Sequence, residues 1–210
     1  RARDLFLLLF CFFALQTSGH VYSPDGVVMG RVTESLSKGD GARVDPFWIP
    51  DGFLYPGRAG ALYAKYAPGL SFVALPFHGA GAALGAAAHS SAVDAFTRPR
   101  TLWYSALNPP DAWRFFGLAW PHSAIVAASG ALLFLLALRL GWGARTALLV
   151  ALATTLASPL WPYAKTFFSE PLGALGLLAF VLFAEKGLGG GGGRFRFLAG
   201  FALGVSVLAR

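Results

Sequence analysis

Residues 158–171 read SPLWPYAKTFFSEP and separate two long apolar runs of the chain. The segment contains Glu170, which is the only acidic residue between Asp111 and Glu185. Holding a carboxylate between two helices of membrane length costs free energy, so such a residue indicates a functional site. The segment therefore predicts a helical membrane protein whose function depends on a short loop between two of its spans.

The composition also indicates a membrane protein. The chain is 56% hydrophobic and 13% charged, with a mean hydropathy of +0.58, whereas about 25% of the residues of a soluble domain are charged. The net charge of +7 comes mostly from basic residues that flank apolar runs. This distribution is typical of topology signals and argues against nucleic acid as a partner. The single cysteine, Cys11, excludes an intramolecular disulfide.

The apolar runs predict an all-α, multi-pass membrane module over residues 1–210. Arg1 and Arg3 precede the first run, so this helix should run outward from the cytoplasm. A short apolar run after basic residues is also typical of a secretory signal peptide, which is the alternative interpretation. We expect transmembrane helices at residues 5–18, 115–138, 146–160 and 171–184, and the start of another at 197–210.

The loops between these runs complete the predicted topology. Residues 19–113 form a long extracytoplasmic first loop and residues 161–171 a second outer loop, whereas the glycine-rich residues 185–196 lie in the cytoplasm. The basic residues of the later loops then lie on the cytoplasmic side, as the positive-inside rule requires. Because Met29 is the only methionine and the chain stops inside an apolar run, we expect a fragment of a longer protein.

The first outer loop should begin with a helix. Residues 23–25 read SPD, which supplies a serine N-cap, a proline at the first helical position and an acid in the first turn. Val28, Val32 and Leu36 follow at a spacing of four and form one apolar stripe. Gly39 then ends the helix. Its amphipathic character predicts a juxtamembrane helix that lies along the membrane surface.

A small β-hairpin is expected further along the first loop. Residues 53–55 and 61–63 are apolar or aromatic and flank the turn-forming residues 56–60. This hairpin would be the β-structure of an otherwise helical chain.

Residues 70–88 have membrane length but contain Pro76, His78 and many small residues. If this run spanned the membrane, every later basic loop would move to the outer side. We therefore predict an interfacial or re-entrant segment. The four histidines of the chain lack metal-ligand spacing, and we interpret them as residues of the membrane interface.

Three segments resemble a known family. They are HVYSPDG at residues 20–26, YAKY at 63–66 and WPYAKTFFSEP at 161–171. With their placement, they resemble the GT-C superfamily of glycosyltransferases that use polyprenyl-phosphate sugars, in particular the bacterial protein-mannosyltransferase-like membrane proteins. Family members usually carry the first acid in a pair, whereas Gly26 follows Asp25 here.

The resemblance implies an integral glycosyltransferase of the plasma membrane. It would transfer a sugar from a polyprenyl-phosphate donor to an acceptor on the extracytoplasmic face, with inversion. In this interpretation Asp25 is the general base, held within about 3 Å of the acceptor hydroxyl or amine. Glu170 would bind the acceptor, or hold a divalent cation together with Asp25. Both acids should lie on the outer side and converge on one cavity.

The resemblance also implies substrate-binding residues. Lys65 and Lys165 would bind the phosphate of the lipid donor, since a lysine ammonium suits a phosphate group. Tyr63 and Tyr163 belong to the same segments and would line the substrate site. Structural roles are the alternative: an acid stabilises a helix start, and a lysine reaches out to lipid headgroups.

Two other classes of function compete with the enzyme. A transporter or flippase subunit would show internal repeats and helices broken near mid-membrane. Apart from the tract Gly189–Gly193 the sequence shows no repeat, and only residues 70–88 look broken. A non-catalytic membrane scaffold is the third interpretation.

Overall fold

A computed structural model describes residues 1–21, 23–46, 51–88 and 109–209, without the side chains of residues 109–111. Tyr22 of the first motif and His89 lie outside the described residues. The helices are α1 (Ala2–Leu15), α2 (Pro24–Lys38), α3 (Gly69–Ala87), α4 (Pro109–Gly117), α5 (Pro121–Arg139), α6 (Ala144–Leu156), α7 (Leu160–Tyr163), α8 (Glu170–Lys186) and α9 (Gly192–Leu208). The strands are β1 (Arg43–Val44), β2 (Leu54–Pro56) and β3 (Leu62–Ala64).

The described chain is mostly helical, and three of its helical stretches are long and apolar enough to cross a membrane. They are Gly69–Ala87, Ala112–Arg139 and Glu170–Leu208. The apolar helix Ala144–Leu156 is shorter. The predicted helical class with membrane-length helices is thus confirmed, whereas the number of spans and their orientation stay predictions.

The chain forms two compact units. The helical unit comprises Arg1–Gln16, His122–Lys165 and Ser169–Arg210. The mixed unit comprises Thr17–Pro121 together with Thr166–Phe168. The mixed unit therefore contains the whole predicted first outer loop, residues 19–113, and a short piece of the predicted second one.

The helical unit has a core built from small and apolar residues. Leu5, Leu9 and Phe13 recur every four residues on α1 and are buried. They belong to one cluster with buried residues of α5 and α6, among them Val126 and Ala151. Burying each such side chain contributes about 1.5–3 kcal/mol.

Helices α8 and α9 form a hairpin inside the helical unit. A Cβ on Gly176 would lie 2.8 Å from the carbonyl oxygen of Ala202. The hydroxyl of Ser206 donates to the carbonyl of Gly173 at 2.9 Å. Small residues thus let the two helix backbones approach closely, as in membrane helix pairs.

The mixed unit begins with the predicted helix α2. The hydroxyl of Ser23 accepts a hydrogen bond from the backbone N–H of Gly26 at 3.0 Å, and Pro24 occupies the first turn. Gly39 ends the helix with a left-handed φ of 82°. Both ends of this helix lie where the sequence predicted them.

The predicted β-hairpin is also present. Strands β2 and β3 are antiparallel and pair Tyr55 with Tyr63. Strand β1 adds to the other edge of β3, so the order is β1-β3-β2. A two-residue strand is too short to show an alternation of apolar and polar residues, so β1 could not be predicted from the sequence.

Helix α3 runs through Pro76 without interruption for 19 residues. One of the two predictions for this segment was a re-entrant segment, which would be broken. The helix is instead continuous. It packs on α2, where Ser71 donates to the carbonyl of Met29 at 3.0 Å. The interfacial placement of α3 stays a prediction.

Glycines bring α3 and α4 into backbone contact. A Cβ on Gly81 would lie 2.3 Å from the carbonyl oxygen of Trp113, and one on Gly117 would lie 2.1 Å from the carbonyl oxygen of Phe77. Gly85 is packed under the ring of Trp113. Any side chain at these positions would force the two helices apart.

Candidate functional site

Asp25 lies in the first turn of α2 and is half-buried. The serine cap and Pro24 fix the helix start and hence the position of this carboxylate. Within the described residues the carboxylate makes no hydrogen bond or ion pair. It is therefore open to a ligand, in addition to its favourable interaction with the helix N-terminus.

Phe167 packs directly against the start of α2. Its side chain is buried, and a Cβ on Gly26 would lie 3.1 Å from the Cβ of Phe167. The same Cβ would lie 2.5 Å from a methyl group of Val21. Glycine is thus required beside Asp25 because a side chain would overlap Val21 of the same segment and press against Phe167 of the later one. The structure brings the motif at 20–26 together with residues of the motif at 161–171.

Glu170 is the first residue of α8 and is exposed. Ser169 precedes it but makes no side-chain cap, and Pro171 follows in the first turn. The carboxylate takes part in no hydrogen bond or ion pair among the described residues. Asp25 belongs to the mixed unit and Glu170 to the helical unit, so their convergence stays a prediction.

The two predicted lysines each lie beside aromatic rings. The ammonium of Lys65 is 4.2 Å from the ring centroid of Phe53 and 4.9 Å from that of Tyr66. The ammonium of Lys165 is 5.5 Å from the ring centroid of Trp161. Cation–π contacts of this kind contribute about 0.5–1 kcal/mol at exposed sites. They hold both ammonium groups at aromatic surfaces while leaving them able to bind an anion.

The predicted tyrosines differ in exposure. Tyr63 lies on β3 and is exposed, with its ring packed on Gly57. Tyr163 ends the short helix α7 and is half-buried. Tyr63 is two residues from Lys65 in the mixed unit, and Tyr163 is two residues from Lys165 in the helical unit.

A buried ion cluster on α2 was not predicted. Glu34 is 6% exposed and accepts from Arg31 at 2.8 Å and from Lys38 at 2.7 Å. Burial alone would raise the pKa of Glu34, but the hydrogen bonds from Lys38 and Arg31 more than offset it and hold this pKa below its ordinary value. Arg31 also stacks 5.6 Å above the ring of Phe115. The spacing i−3 and i+4 around Glu34 is the sequence signal that identifies this cluster.

A polar cleft of about 130 Å³ adjoins this cluster. It is lined by Arg31, Glu34, Ser35, Lys38, Asp40, Asp45 and Pro46. Because the charge of Glu34 is already balanced by two cations of the same helix, the cluster stabilises α2 and does not offer a free carboxylate.

Replacing Glu34 by glutamine should destabilise the protein by about 2 kcal/mol at neutral pH, since the amide has no negative charge and keeps only one of the two oxygens that accept from Arg31 and Lys38. The folded-state pKa of Glu34 lies below its ordinary value of 4.5, so this stabilisation is present above that value and is lost as pH falls through the folded-state pKa. Chemical denaturation of both proteins at neutral and acidic pH measures the difference.

The matched control for this variant is Asp40→Asn. Asp40 pairs with Arg43 at 2.9 Å, but both side chains are about half exposed. Exposed pairs contribute about 0–1 kcal/mol. The role of the buried cluster would be contradicted if both variants lost the same free energy of unfolding. It would also be contradicted if the loss in Glu34→Gln persisted at acidic pH.

His78 is fully buried in the mixed unit, and His122 is buried in the helical unit. Both rings are enclosed by protein, and their position at the membrane interface stays a prediction. Neither ring nitrogen of His78 has a hydrogen-bond partner within the described residues. The described residues contain no group of three or more side chains that could hold a metal ion.

Comparison of the chain with protein-family models, with curated proteins and with solved structures finds no match. Function is therefore inferred from the residues themselves and from their placement.

Proposed function

We propose that the protein is an integral membrane glycosyltransferase that transfers a sugar from a polyprenyl-phosphate donor to an acceptor on the extracytoplasmic face. The observation that carries the proposal is the packing of Phe167 on Gly26, directly beside Asp25. It supports a shared site for the two segments that resemble GT-C enzymes. Three membrane-length helices support a membrane location, and the basic loops favour the plasma membrane with cytoplasmic Lys186 and Arg194.

In the proposed reaction the acceptor oxygen or nitrogen attacks the anomeric carbon of the sugar. Asp25 takes the proton of the acceptor, the bond from the anomeric carbon to the phosphate oxygen breaks, and the lipid phosphate leaves with the electron pair. A single displacement of this kind inverts the anomeric configuration. The unpaired carboxylate of Asp25 suits the role of base because no described cation competes for it.

The remaining residues have supporting roles in the proposal. Lys65 and Lys165 bind the phosphate of the donor, and Tyr63 and Tyr163 line the substrate site. Glu170 binds the acceptor or a divalent cation. In the alternative in which Asp25 is a ligand and not the free base, it would hold a divalent cation together with Glu170; Mg²⁺ commonly uses one or two protein carboxylates and completes its coordination with substrate phosphate and water.

The test uses the full-length protein in lipid nanodiscs together with radiolabelled polyprenyl-phosphate hexoses. We expect label to leave the lipid and to appear on an acceptor when membrane extract is supplied as the acceptor source. In sealed vesicles a flippase would instead move the intact labelled lipid between leaflets without cleaving it. A scaffold would do neither, so intact donor with every hexose tested would contradict the enzyme.

A further inference from the structure

We propose that the helical unit binds an anionic phospholipid, with one acyl chain in an apolar groove and the phosphate beside Arg3. The groove lies between α1, α5 and α8 and has a volume of about 490 Å³. This binding is separate from the proposed transfer reaction, which uses the outer loops.

The lining of the groove requires an apolar occupant. Each helix contributes alanines or large apolar residues, among them Phe6, Ala128, Leu135, Ala179 and Phe183. Alanine between larger side chains creates a depression into which a chain of methylene groups fits. Filling it removes apolar surface from contact with water or with loosely packed lipid.

The length of the groove matches one leaflet. Its lining on α5 extends from Ala128 to Leu135, and on α8 from Leu175 to Phe183. At 1.5 Å per residue these stretches are roughly 10–12 Å long. Half of the hydrocarbon core is about 15 Å thick. An acyl chain that starts at the membrane surface would therefore contact the groove over most of the thickness of one leaflet.

Charge selects an anionic headgroup. Arg3 is the one charged residue that lines the groove, and its side chain is 86% exposed. Asp4 lies 3.5 Å from its Nε, but it is itself 65% exposed and leaves the other guanidinium donors free to bind phosphate. The predicted topology places Arg3 at the cytoplasmic surface, where the anionic lipids of a membrane are concentrated.

The test measures lipid retention by the full-length protein. The protein is reconstituted in nanodiscs of mixed phosphatidylglycerol and phosphatidylcholine, released into mild detergent and analysed by native mass spectrometry. We expect phosphatidylglycerol to be retained several-fold more than phosphatidylcholine. Arg3→Gln should lower the retention of phosphatidylglycerol about fivefold, because one basic side chain near an anionic lipid contributes about that factor.

Two further variants examine the groove itself. Ala128 and Ala179 are only partly buried, so Ala128→Phe and Ala179→Phe can fill the groove without entering the core. Both should reduce retention of phosphatidylglycerol. Ala153→Phe, at an exposed position on α6, and Arg194→Gln, after the glycine tract, are the matched controls and should change little.

Several results would overturn the proposal. They are equal retention of the two lipids, retention unaffected by the phenylalanine variants, and a dimer mass that disappears with those variants, which would identify a second copy as the occupant. Preferential retention of added polyprenyl phosphate over phosphatidylglycerol would also overturn it, because the groove would then hold the donor lipid. Proper folding of each variant is checked by circular dichroism, and only variants with the wild-type spectrum are compared.

Discussion

Asp25→Asn is expected to lower the rate of sugar transfer by about 100- to 10,000-fold, which is the usual contribution of a general base. Asparagine has nearly the same volume and still fits the first turn of α2. The helix loses only its interaction with one negative charge, about 0.3–1 kcal/mol. Folding and membrane insertion should therefore remain intact while activity is lost. Transfer of label from the polyprenyl-phosphate donor, measured with the full-length protein, gives the rate.

Two matched variants separate chemistry from helix stability. Ser23→Ala removes the N-cap, whose hydroxyl accepts from the N–H of Gly26 at 3.0 Å, and should cost about 1 kcal/mol of stability. Asp51→Asn changes an exposed acid in a turn of the same unit. Both variants should keep nearly full activity. If Ser23→Ala loses as much activity as Asp25→Asn, then Asp25 acts as a helix-start residue and the catalytic role is wrong.

Gly81→Ala is expected to destabilise the mixed unit by about 1–3 kcal/mol, the usual cost of overpacking. The added methyl group would lie 2.3 Å from the carbonyl oxygen of Trp113 and 3.0 Å from the backbone nitrogen of Gly117. Backbone atoms cannot rotate away as a side chain can, so α3 and α4 must separate. Chemical denaturation, followed by fluorescence and by secondary-structure content, measures the change in the free energy of unfolding.

Gly79→Ala is the matched control in the same helix. Nothing lies within 4 Å of a Cβ at Gly79. Alanine is a better helix former than glycine by about 0.5–1 kcal/mol, so this change should be neutral or stabilising. A stable Gly81→Ala protein would show that the close approach of α3 and α4 is not required for folding.

Local signals predicted the local structure. The sequence SPD at 23–25 and Gly39 define α2, and the turn residues 56–60 define the hairpin, because capping and turn formation depend on neighbours in sequence. Pro76, by contrast, did not mark a break in α3. Its missing N–H removes only one hydrogen bond, and packing of α3 on α2 and α4 keeps the helix continuous.

Packing between distant segments could not be predicted in the same way. The helix expected at 115–138 is interrupted after Gly117 and begins again at Pro121, although the run remains apolar throughout. Hydrophobicity does not report such a break, whereas Pro121 is a recognised helix start. Gly81 and Gly85 form a GxxxG pattern that indicates a close helix contact, but the pattern does not name α4 as the partner.

In the candidate site, too, local features could be predicted from the sequence and contacts between distant segments could not. Asp25 was placed correctly in the first turn of α2, because caps are local. The packing of Phe167 on Gly26 joins residues far apart in sequence, and only the structure could show it. The buried state of Glu34 likewise depends on how α2 packs, although its spacing to Arg31 and Lys38 was visible in the sequence.

The hairpin of α8 and α9 has a consequence for biogenesis. Its two helices are consecutive in the chain and are joined by the glycine tract, whose Gly190 and Gly192 adopt positive φ and reverse the chain direction. Contacts of low sequence separation form early and fast. This hairpin can therefore assemble as soon as its second helix has left the ribosome, and it can enter the bilayer as a preformed pair whose small residues already face each other.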